Sequence, residues 1–460
     1  MTYSFQDDTS GSGLTQTAAS LLSLLIVWML TLPLQLDASE TGLAATEAQH
    51  ENEHPLFRSF SEESLPEIAA MAAGHRAVLL GESTHGTSEY YRLRAALSKI
   101  LIEAHGYNFV VVEGDWDAAW QVNKYVKQLP GAPASAREAL AHFTRWPGWM
   151  WNNQETLELV EWLRAWNAAL PEDAQKVGFY GMDVYGWPES VRVLRAQADH
   201  FEGDLRTALL VSTQCINRFR GDNRAYLQHV ARTGEHCGRD ILELTELLEA
   251  NPQPDDFTQE EWFNLRQHAF VFRQADLHLR GMLFQGPESW NERAANFKQT
   301  FARLLDFYGE EARGIAWAHN THIGDARATD MASAGMHNIG QLTRTAFGDD
   351  AVFALGFGTF SGRVNVGFEW EGPMQIVEMP EARSGSLEAG LYSLDLGAVW
   401  FPLRTDAARE VFGSPVPHRA IGVVYNPAND AAQNYVNSDM VARYNAFIFL
   451  PYTEELTPLR

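Results

Sequence analysis

The sequence predicts an α/β fold in which a mainly parallel central sheet is flanked by helices and a large helical insertion separates its two halves. Three observations support this prediction. Four short apolar runs each end in ionisable residues, as buried strands do when they lead into a binding site. A helical segment of crossover length joins the first two runs. Residues 191–312 show helical periodicity without a strand-like run, and strand-like runs return after them.

The first strand-to-helix unit carries three ionisable side chains. The apolar run Ala77–Leu80 predicts a buried strand, and Gly81 lets the chain turn sharply before Glu82 and His85. The helix that follows is expected to bury one face, formed by Tyr90, Leu93, Leu97 and Leu101. Arg94 lies on the same helix. A carboxylate, an imidazole and a guanidinium therefore surround one turn at the carboxyl end of a strand, where open α/β sheets bind their ligands.

The other three apolar runs also end in ionisable residues. They are Phe109–Val112 before Glu113 and Asp115, Val177–Met182 before Asp183, and Gly314–Ala318 before His319 and His322. Parallel strands point their carboxyl ends to the same edge of a sheet, so we expect these side chains to converge there. For Asp183 a structural role is the simpler expectation, and contact with a pocket, shared with Tyr185, is the alternative.

Aromatic residues interrupt the helical pattern after the second run. Pro147 and Gly148 lie among three tryptophans in the segment 143–153, which predicts a loop. Such a loop can line a pocket for a large, partly apolar ligand, or it can pack as a satellite core. The next helix is expected to present one apolar side, formed by Leu157, Val160, Leu163 and Ala168. Beyond residue 322, strands are expected at Val352–Phe357, Ala420–Tyr425 and Ala446–Leu450.

These patterns divide the chain into an N-terminal extension (1–56), a first α/β half (57–190), a helical lobe (191–312) and a second α/β half (313–460). The extension contains an apolar run of signal-peptide length, Leu21–Leu36. No Lys or Arg precedes Arg58, so the positive leading region of a secretory signal is missing. We therefore expect a cytoplasmic protein, with export or membrane anchoring through residues 21–36 as the alternative.

Composition excludes several classes of partner. The chain of 460 residues has 35 Lys and Arg against 59 Asp and Glu, a net charge of −24, and no Lys/Arg-rich block. Nucleic acid and anionic membrane surfaces are therefore poor partners. Cys215 and Cys237 lack the spacing of a metal finger and fall in a helical pattern, so we expect reduced thiols, with a disulfide as the alternative. The composition does not define an oligomeric state.

Several standard catalytic motifs are absent from the sequence. The chain has no Gly-x-Ser-x-Gly elbow, no Gly-x-Gly-x-x-Gly, no phosphate-binding Lys-Ser/Thr loop and no His-Glu-x-x-His. Without a recognisable serine or cysteine nucleophile, His and Glu must carry any catalysis by activating water. A carboxylate on the second nitrogen of such a histidine fixes its tautomer and stabilises the imidazolium.

Four motifs taken together resemble the erythromycin esterase family. They are Gly81–Gly86 (GESTHG) with Arg94 nine residues after His85, Val112–Trp116 (VEGDW), Thr144–Trp151 and Ala318–Arg327. The tryptophan-rich motif at Thr144–Trp151 matches one branch more closely, a branch whose label also refers to polysaccharide biosynthesis. The resemblance runs from about Phe57 to near the C terminus. It implies an erythromycin esterase-like fold and a hydrolase that opens an ester, in the best-known members a macrolide lactone, with histidine-activated water and no covalent intermediate.

The resemblance also implies roles for individual residues. His85 matches the general base of the family, and Glu113 matches the carboxylate that orients it. Glu82 and Arg94 match residues around the reacting groups, and His319 and His322 match an essential pair across the pocket. We expect Arg94, together with His319 or His322, to stabilise the oxyanion.

One departure from the family pattern affects the expected substrate range. Relatives of this branch carry Arg-Asp where this chain has Arg293-Ala294.

The expected partner is a small-molecule ester or lactone, and no cofactor is expected. In one alternative the same histidines and glutamates hold a divalent metal that activates the water, because distantly related proteins of the superfamily are metal-dependent. In another, the pocket binds a small molecule or a porphyrin without turnover.

Overall fold

The computed structural model describes residues 55–459, so the apolar run Leu21–Leu36 lies outside the described residues. The strands are β1 (Arg58–Ser59), β2 (Ala77–Leu80), β3 (Phe109–Asp115), β4 (Gly178–Asp183), β5 (Gly314–Trp317), β6 (Val352–Gly367), β7 (Met374–Met379), β8 (Val399–Pro402), β9 (Val416–Arg419), β10 (Tyr435–Ser438) and β11 (Ala446–Thr453).

The α-helices surround these strands. They are α1 (Leu65–Ala72), α2 (Ser88–His105), α3 (Trp116–Lys127), α4 (Ala136–Leu140), α5 (Gln154–Ala169), α6 (Trp187–Ala196), α7 (Gly203–Asn217), α8 (Asn223–Thr233), α9 (Gly238–Ala250), α10 (Gln259–Gly281), α11 (Glu288–Tyr308), α12 (Asn320–Ile323), α13 (Ile339–Phe347), α14 (Leu387–Ser393), α15 (Asp406–Val411), α16 (Asp430–Gln433) and α17 (Met440–Arg443). In the part of the chain that the structure describes, no helix combines the length and the apolar character needed to cross a bilayer.

The central sheet has nine strands in the order β1-β8-β11-β6-β2-β5-β3-β4, with β7 paired to the end of β6. All neighbours from β11 to β4 are parallel. Antiparallel pairs occur only where β8, β1 and β7 join. The predicted α/β fold with a mainly parallel sheet is therefore confirmed, and the four apolar runs are the adjacent strands β2, β5, β3 and β4.

Alternate residues of the strands face two separate cores, as the pleat of a sheet requires. Val78 and Leu80 contribute to the core under α2, α3 and α5. Ala77 and Leu79 contribute to the core under α11. The apolar face of α2 is buried as expected, at Tyr90, Leu93, Leu97 and Leu101. Burial on both faces explains why these strands read as continuous apolar runs rather than as alternating ones.

Helices α6 to α11 lie between β4 and β5, and α6 to α10 form a third core of their own, whereas α11 packs on the sheet. A disulfide joins Cys215, near the end of α7, to Cys237, just before α9, with a Cα–Cα distance of 5.8 Å. The prediction of reduced thiols is therefore wrong. Helix α8 folds back between the two cysteines and brings together residues that are 22 positions apart in the chain.

Two further expectations are corrected. The segment Ala420–Tyr425 is not a strand, because its backbone bonds to two different segments: Ile421 N donates to Ser83 O, and Val423 O accepts from Gly367 N. In α5, Ala168 is exposed rather than buried. The buried neighbour is Asn167, whose amide donates to Val126 O and Val177 O.

Candidate active site

The ends of β2, β5, β3 and β4 bring the predicted site residues to one edge of the sheet. Leu80 at the end of β2 pairs with Trp317 of β5, which in turn pairs with Val112 of β3. The turns after these strands therefore lie side by side. The predicted convergence is seen directly in the contacts between their side chains.

Glu82 and His85 form a hydrogen-bonded pair in the turn after β2. His85 Nδ1 lies 2.9 Å from Glu82 Oε1, and His85 is 8 % exposed whereas Glu82 is fully buried. Burial by itself lowers the pKa of His85, but the hydrogen bond to Glu82 and the charge of Glu113 outweigh it, and that pKa is raised above its ordinary value. The carboxylate fixes the proton of His85 on Nδ1 and leaves Nε2 as the basic nitrogen.

Arg94 is hydrogen-bonded to the carboxylate of this pair. Its Nη2 donates to Glu82 Oε2 at 2.7 Å, and its guanidinium packs over the rings of Tyr91 and Trp317. The side chain is completely buried and does not line the cavity described below. Arg94 therefore holds Glu82 and is not placed to bind a substrate, contrary to the oxyanion role expected from the sequence.

Glu113 does not hold His85, contrary to the expectation. Its Oε2 accepts from the backbone N of His319 at 3.0 Å, and its Oε1 accepts from Arg293 Nη2 at 2.8 Å. The closer carboxylate, Glu82, takes the Nδ1 position because it belongs to the same tight turn as His85. Burial alone would raise the pKa of Glu113, but neighbouring His322 and the permanent charge of Arg293 lower it well below its ordinary value.

Arg293, on the first turns of α11, is the cation at the centre of the cluster. Its Nη2 donates to Asp183 Oδ2 at 2.6 Å as well as to Glu113, and its Nε donates to Asp183 Oδ1 at 2.9 Å. Its Nη1 lies 3.0 Å from His322 Nε2. Burial favours a neutral Asp183, but the charge of Arg293 prevails and lowers the pKa of this carboxyl. The structural role expected for Asp183 and the alternative of pocket contact both apply, because Asp183 also lines the cavity.

The two histidines after β5 have different neighbours. His319 Nδ1 accepts the N–H of Thr321, so its proton lies on Nε2, which has no hydrogen-bond partner among residues 55–459. Its ring lies 4.9 Å from that of His85. His322 Nε2 lies 3.0 Å from Arg293 Nη1 and 3.3 Å from Glu113 Oε1, so it can accept from the guanidinium or donate to the carboxylate. Burial lowers the pKa of both histidines, which keeps them neutral.

Asn320, between the two histidines, ties their loop to the turn after β2. Its backbone N donates to Glu82 O at 2.8 Å, and its side-chain amide donates to Phe357 O at 2.6 Å. The same amide lies 3.2 Å from Nε2 of His418, whose Nδ1 is 2.6 Å from Glu388 Oε1. All of these side chains are fully buried. The network fixes the position of both catalytic candidates, His85 and His319, relative to each other.

These groups lie at one end of a cavity of about 920 Å³. Its charged end contains His85, Glu113, Asp183, Arg293, His319 and His322. The rest of its wall is largely apolar and includes Met150, Trp151, Leu283, Phe284, Trp290, Met331, Met336, Trp370 and Val424. The loop 143–153 both packs in the core and lines the cavity, the two roles considered for it. Trp149, Met150 and Trp151 belong to the core, and Met150 and Trp151 also line the cavity.

The donor atoms at the charged end do not fit a metal ion. Glu113 and Asp183 share the guanidinium of Arg293, and Glu82 is bonded to His85 and Arg94. Their negative charge is thus already compensated by fixed cations. Across residues 55–459, no three His, Cys, Asp or Glu side chains are arranged to hold a metal ion.

Sequence reasoning missed some residues of the site. Arg293 was noted only as the neighbour of Ala294, which is completely buried in α11. His278 also lines the cavity and packs edge to face at 5.3 Å on Tyr185, for which contact with a pocket was the alternative expectation. Arg293 and His278 lie in regular helical patterns, and nothing in those patterns separates a cavity-facing residue from a surface one. The Arg-Ala departure at 293–294 was the one local signal.

Comparisons with solved structures agree with this fold. A crystal structure of a protein from Bacillus cereus covers 88 % of this chain and 97 % of its own, with 18 % identity and a TM-score of 0.73. A succinoglycan biosynthesis protein has a TM-score of 0.66 at 18 % identity and covers 87 % of this chain and 94 % of its own. A mutant of the erythromycin esterase EreC, in its open conformation, has a TM-score of 0.59 at 15 % identity and covers 86 % of this chain and 98 % of its own. These likenesses establish a shared fold.

The family model described as erythromycin esterase matches residues 102–453, which include the motifs at Glu113, Thr144–Trp151 and His319. The turn with Glu82 and His85 precedes the matched range, but it is joined to the matched part by the contacts described above. Since the match extends over more than half of the chain, this protein belongs to the erythromycin esterase family.

Proposed function

We propose that this protein is a hydrolase of carboxylic esters or lactones in which His85 activates a water molecule without a metal and without a covalent intermediate. The observation that carries the proposal is the buried Glu82–His85 hydrogen bond of 2.9 Å, which leaves Nε2 of His85 free in the wall of the cavity. Family membership supports the same reaction class.

The proposed reaction has two proton transfers. His85 Nε2 takes a proton from water as the hydroxide oxygen attacks the ester carbonyl, and the resulting imidazolium is stabilised by Glu82. The N–H at Nε2 of His319 donates to the oxygen that becomes negative, because it has no partner in the described part of the chain and its ring lies next to His85. The tetrahedral intermediate then expels the alcohol oxygen, which takes the proton from His85. The products are a carboxylic acid and an alcohol.

The other charged residues have supporting roles in this proposal. Arg94 holds Glu82, and Glu113 fixes the backbone of His319. Arg293 keeps Glu113 and Asp183 ionised and contacts His322. The protonation state of each group is therefore fixed before substrate binds. In enzymes, one preorganised hydrogen-bond donor lowers the activation free energy by about 3 kcal/mol.

The cavity supports a large and partly apolar substrate. A volume of about 920 Å³ is at the upper end of the usual range for small-molecule sites. Aromatic and methionine side chains form most of its wall. A macrolide lactone is one compound of this description. The name of the succinoglycan biosynthesis neighbour makes esters on a polysaccharide a second group to test.

The test is the product mass after incubation of purified protein with a 14-membered macrolide and a panel of simple and sugar esters, with His85→Ala in parallel. We expect a gain of one water molecule that is lost in the variant and is insensitive to a chelator. Turnover that persists in His85→Ala would refute the base assignment, and loss of turnover in chelator would favour the metal alternative. Stoichiometric binding without any product would favour the binding-protein alternative, which a pigment absorbance band would identify if the ligand is a porphyrin.

The disulfide supports a proposal about the compartment. Disulfides persist in oxidising compartments and are rare in the cytosol. We therefore favour export over the cytoplasmic location expected from the sequence. Alkylation in denaturant, immediately as the protein is recovered from cells, tests this choice, because both cysteines would be labelled in a cytosolic protein and neither in an exported one.

A further inference from the structure

Helix α8 forms one wall of the cavity through a single face. Arg224, Leu227, Gln228 and Ala231 all line the cavity. Their spacing of three, four and seven residues places them on one stripe of the helix. This wall belongs to the helical region and not to the sheet edge that carries His85.

The interior contacts of α8 are few. Of its eleven residues only Tyr226, Leu227 and Val230 are buried. The hydroxyl of Tyr226 bonds to Asp276 of α10 and accepts from the backbone N of Cys237 at 3.2 Å. A helix this short is not stable by itself in water, so tertiary contacts and chain constraints must hold it in place.

The disulfide Cys215–Cys237 supplies such a constraint. It closes the loop that contains α8, with one cysteine on each side of the helix. Cys237 is fully buried, and its backbone N is the donor to Tyr226. Cys237 therefore provides both the covalent link and a hydrogen bond to a buried residue of α8.

We propose that α8 is the specificity-determining wall of the substrate cavity and that the Cys215–Cys237 disulfide fixes its position, so that reduction weakens substrate binding without impairing the chemical step. The proposal rests on the proposed function in so far as the cavity is the substrate site. Since α8 carries none of the groups assigned to catalysis, loss of the disulfide changes KM and leaves kcat nearly unchanged.

The experiment compares the oxidised protein with a Cys215→Ser/Cys237→Ser variant in two measurements that need no turnover. The first is amide hydrogen exchange followed by mass spectrometry. We expect faster exchange in residues 218–236 and no change in β2 or β3. The second is a fluorescence titration with Nile red, an uncharged apolar dye, for which we expect the Kd to rise by about tenfold.

Two matched variants in the oxidised protein test the wall itself. Gln228 and Arg232 are both exposed on α8, but only Gln228 lines the cavity. We expect Gln228→Trp to change the Kd for the dye and Arg232→Trp to leave it unchanged, with normal exchange in both. If a hydrolysed ester is found, the disulfide variant should raise its KM several-fold at constant kcat.

Three results would overturn the proposal. They are unchanged exchange and dye affinity in the disulfide variant, faster exchange spread through the central sheet, and equal effects of Gln228→Trp and Arg232→Trp. Absence of ester turnover in the unmodified protein would refute the proposed function alone, because the exchange and dye measurements do not depend on it.

Discussion

At the scale of single residues, the protonation of His85 depends on one hydrogen bond. Glu82 bonds to His85 Nδ1 and favours the imidazolium, which is why the pKa of His85 is raised in spite of burial. A general base must be neutral before it can accept a proton. Activity should therefore fall on the acidic side as His85 becomes protonated.

Substitution Glu82→Gln tests this dependence. We expect kcat to fall by about 10²–10³-fold, because the imidazolium loses its counter-charge. The acidic limb of the pH–rate profile should move to lower pH, because the pKa of His85 drops when the carboxylate is removed. Glu103→Gln, on the exposed side of α2, serves as the control and should leave both quantities unchanged. A profile whose acidic limb stays in place would contradict the role given to Glu82.

Arg293 allows a second prediction at this scale. Removal of one partner from a buried ion pair typically costs about 3–5 kcal/mol, since the other charge is left uncompensated. In Arg293→Met, two carboxylates, Glu113 and Asp183, lose their shared cation. We expect a loss of stability of that order at pH 7. The deficit should shrink as pH falls, because the carboxyl pKa values rise without Arg293 and protonation relieves the repulsion.

Urea unfolding of Arg293→Met and of Arg293→Met/Asp183→Asn, each at pH 5 and pH 7, measures this effect. The double variant should be the more stable of the two at pH 7, since one of the unpaired charges is gone. Equal stabilities at pH 7 would mean that Asp183 carries no charge in the folded Arg293→Met variant.

The residues of the site differ in how far sequence predicts them. His85, Glu82, His319 and His322 could be located because each follows an apolar strand within a few positions. Their partners could not be assigned, because pairing depends on distances across the fold. Glu113 is 206 positions from the backbone N that it binds, and Arg293 is 110 positions from Asp183. The pairing of β3 with β5 creates the first contact, and the packing of α11 on the sheet edge creates the second.

At the scale of secondary-structure elements, Gly81 and Asn320 connect two turns of the site. A Cβ atom on Gly81 would lie 2.1 Å from Asn320 Oδ1, so the two turns can approach this closely only because residue 81 has no side chain. Asn320 in turn donates to Glu82 O and Phe357 O. The two positions should therefore be energetically coupled.

A double-mutant cycle measures this coupling. Asn320→Ala should cost about 2–3 kcal/mol of stability, because buried acceptors lose their donor. Gly81→Ala should be destabilising through its clash with Asn320. In Gly81→Ala/Asn320→Ala the total should be less than the sum by about 1 kcal/mol or more, since the clash disappears with the amide. Additive free energies of unfolding would show that the clash is relieved elsewhere.

Element prediction succeeded where the signal was local and failed where it was not. The four apolar runs identified β2 to β5 because burial on both faces leaves a continuous run. The run Ala420–Tyr425 has the same composition, but its backbone bonds to Ser83 and Gly367 in separate segments and forms no ladder. The pairing of Cys215 with Cys237 depends on how α8 folds back, which spacing alone does not define.

At the scale of the whole molecule, the sheet provides the edge that carries His85 and His319, and the helical region provides much of the cavity wall. Histidines are buried where these two parts meet. Burial lowers the pKa of His278 to about 4, an effect that the nearby charge of Arg293 increases. Its Nδ1 donates to Ser289 O at 2.8 Å, which by itself raises the pKa, but burial prevails and the folded protein holds this ring neutral. An unfolded chain would protonate the same ring near its ordinary pKa of about 6.5.

This difference makes stability depend on pH in a defined direction. Between pH 6.5 and pH 4 the unfolded state binds a proton at His278 that the folded state does not, so the free energy of unfolding falls as pH falls, by about 1 kcal/mol per pH unit. Acidification also lowers the net negative charge from −24 and relieves repulsion, which acts in the opposite direction. Comparison of the unmodified protein with a His278 variant separates the two effects, because the charge repulsion is common to both proteins. The measurement is urea unfolding of the unmodified protein and of His278→Gln between pH 4 and pH 6.5. We expect the free energy of unfolding to depend less steeply on pH in the variant. Parallel curves would mean that His278 is protonated in the folded state as readily as in the unfolded chain.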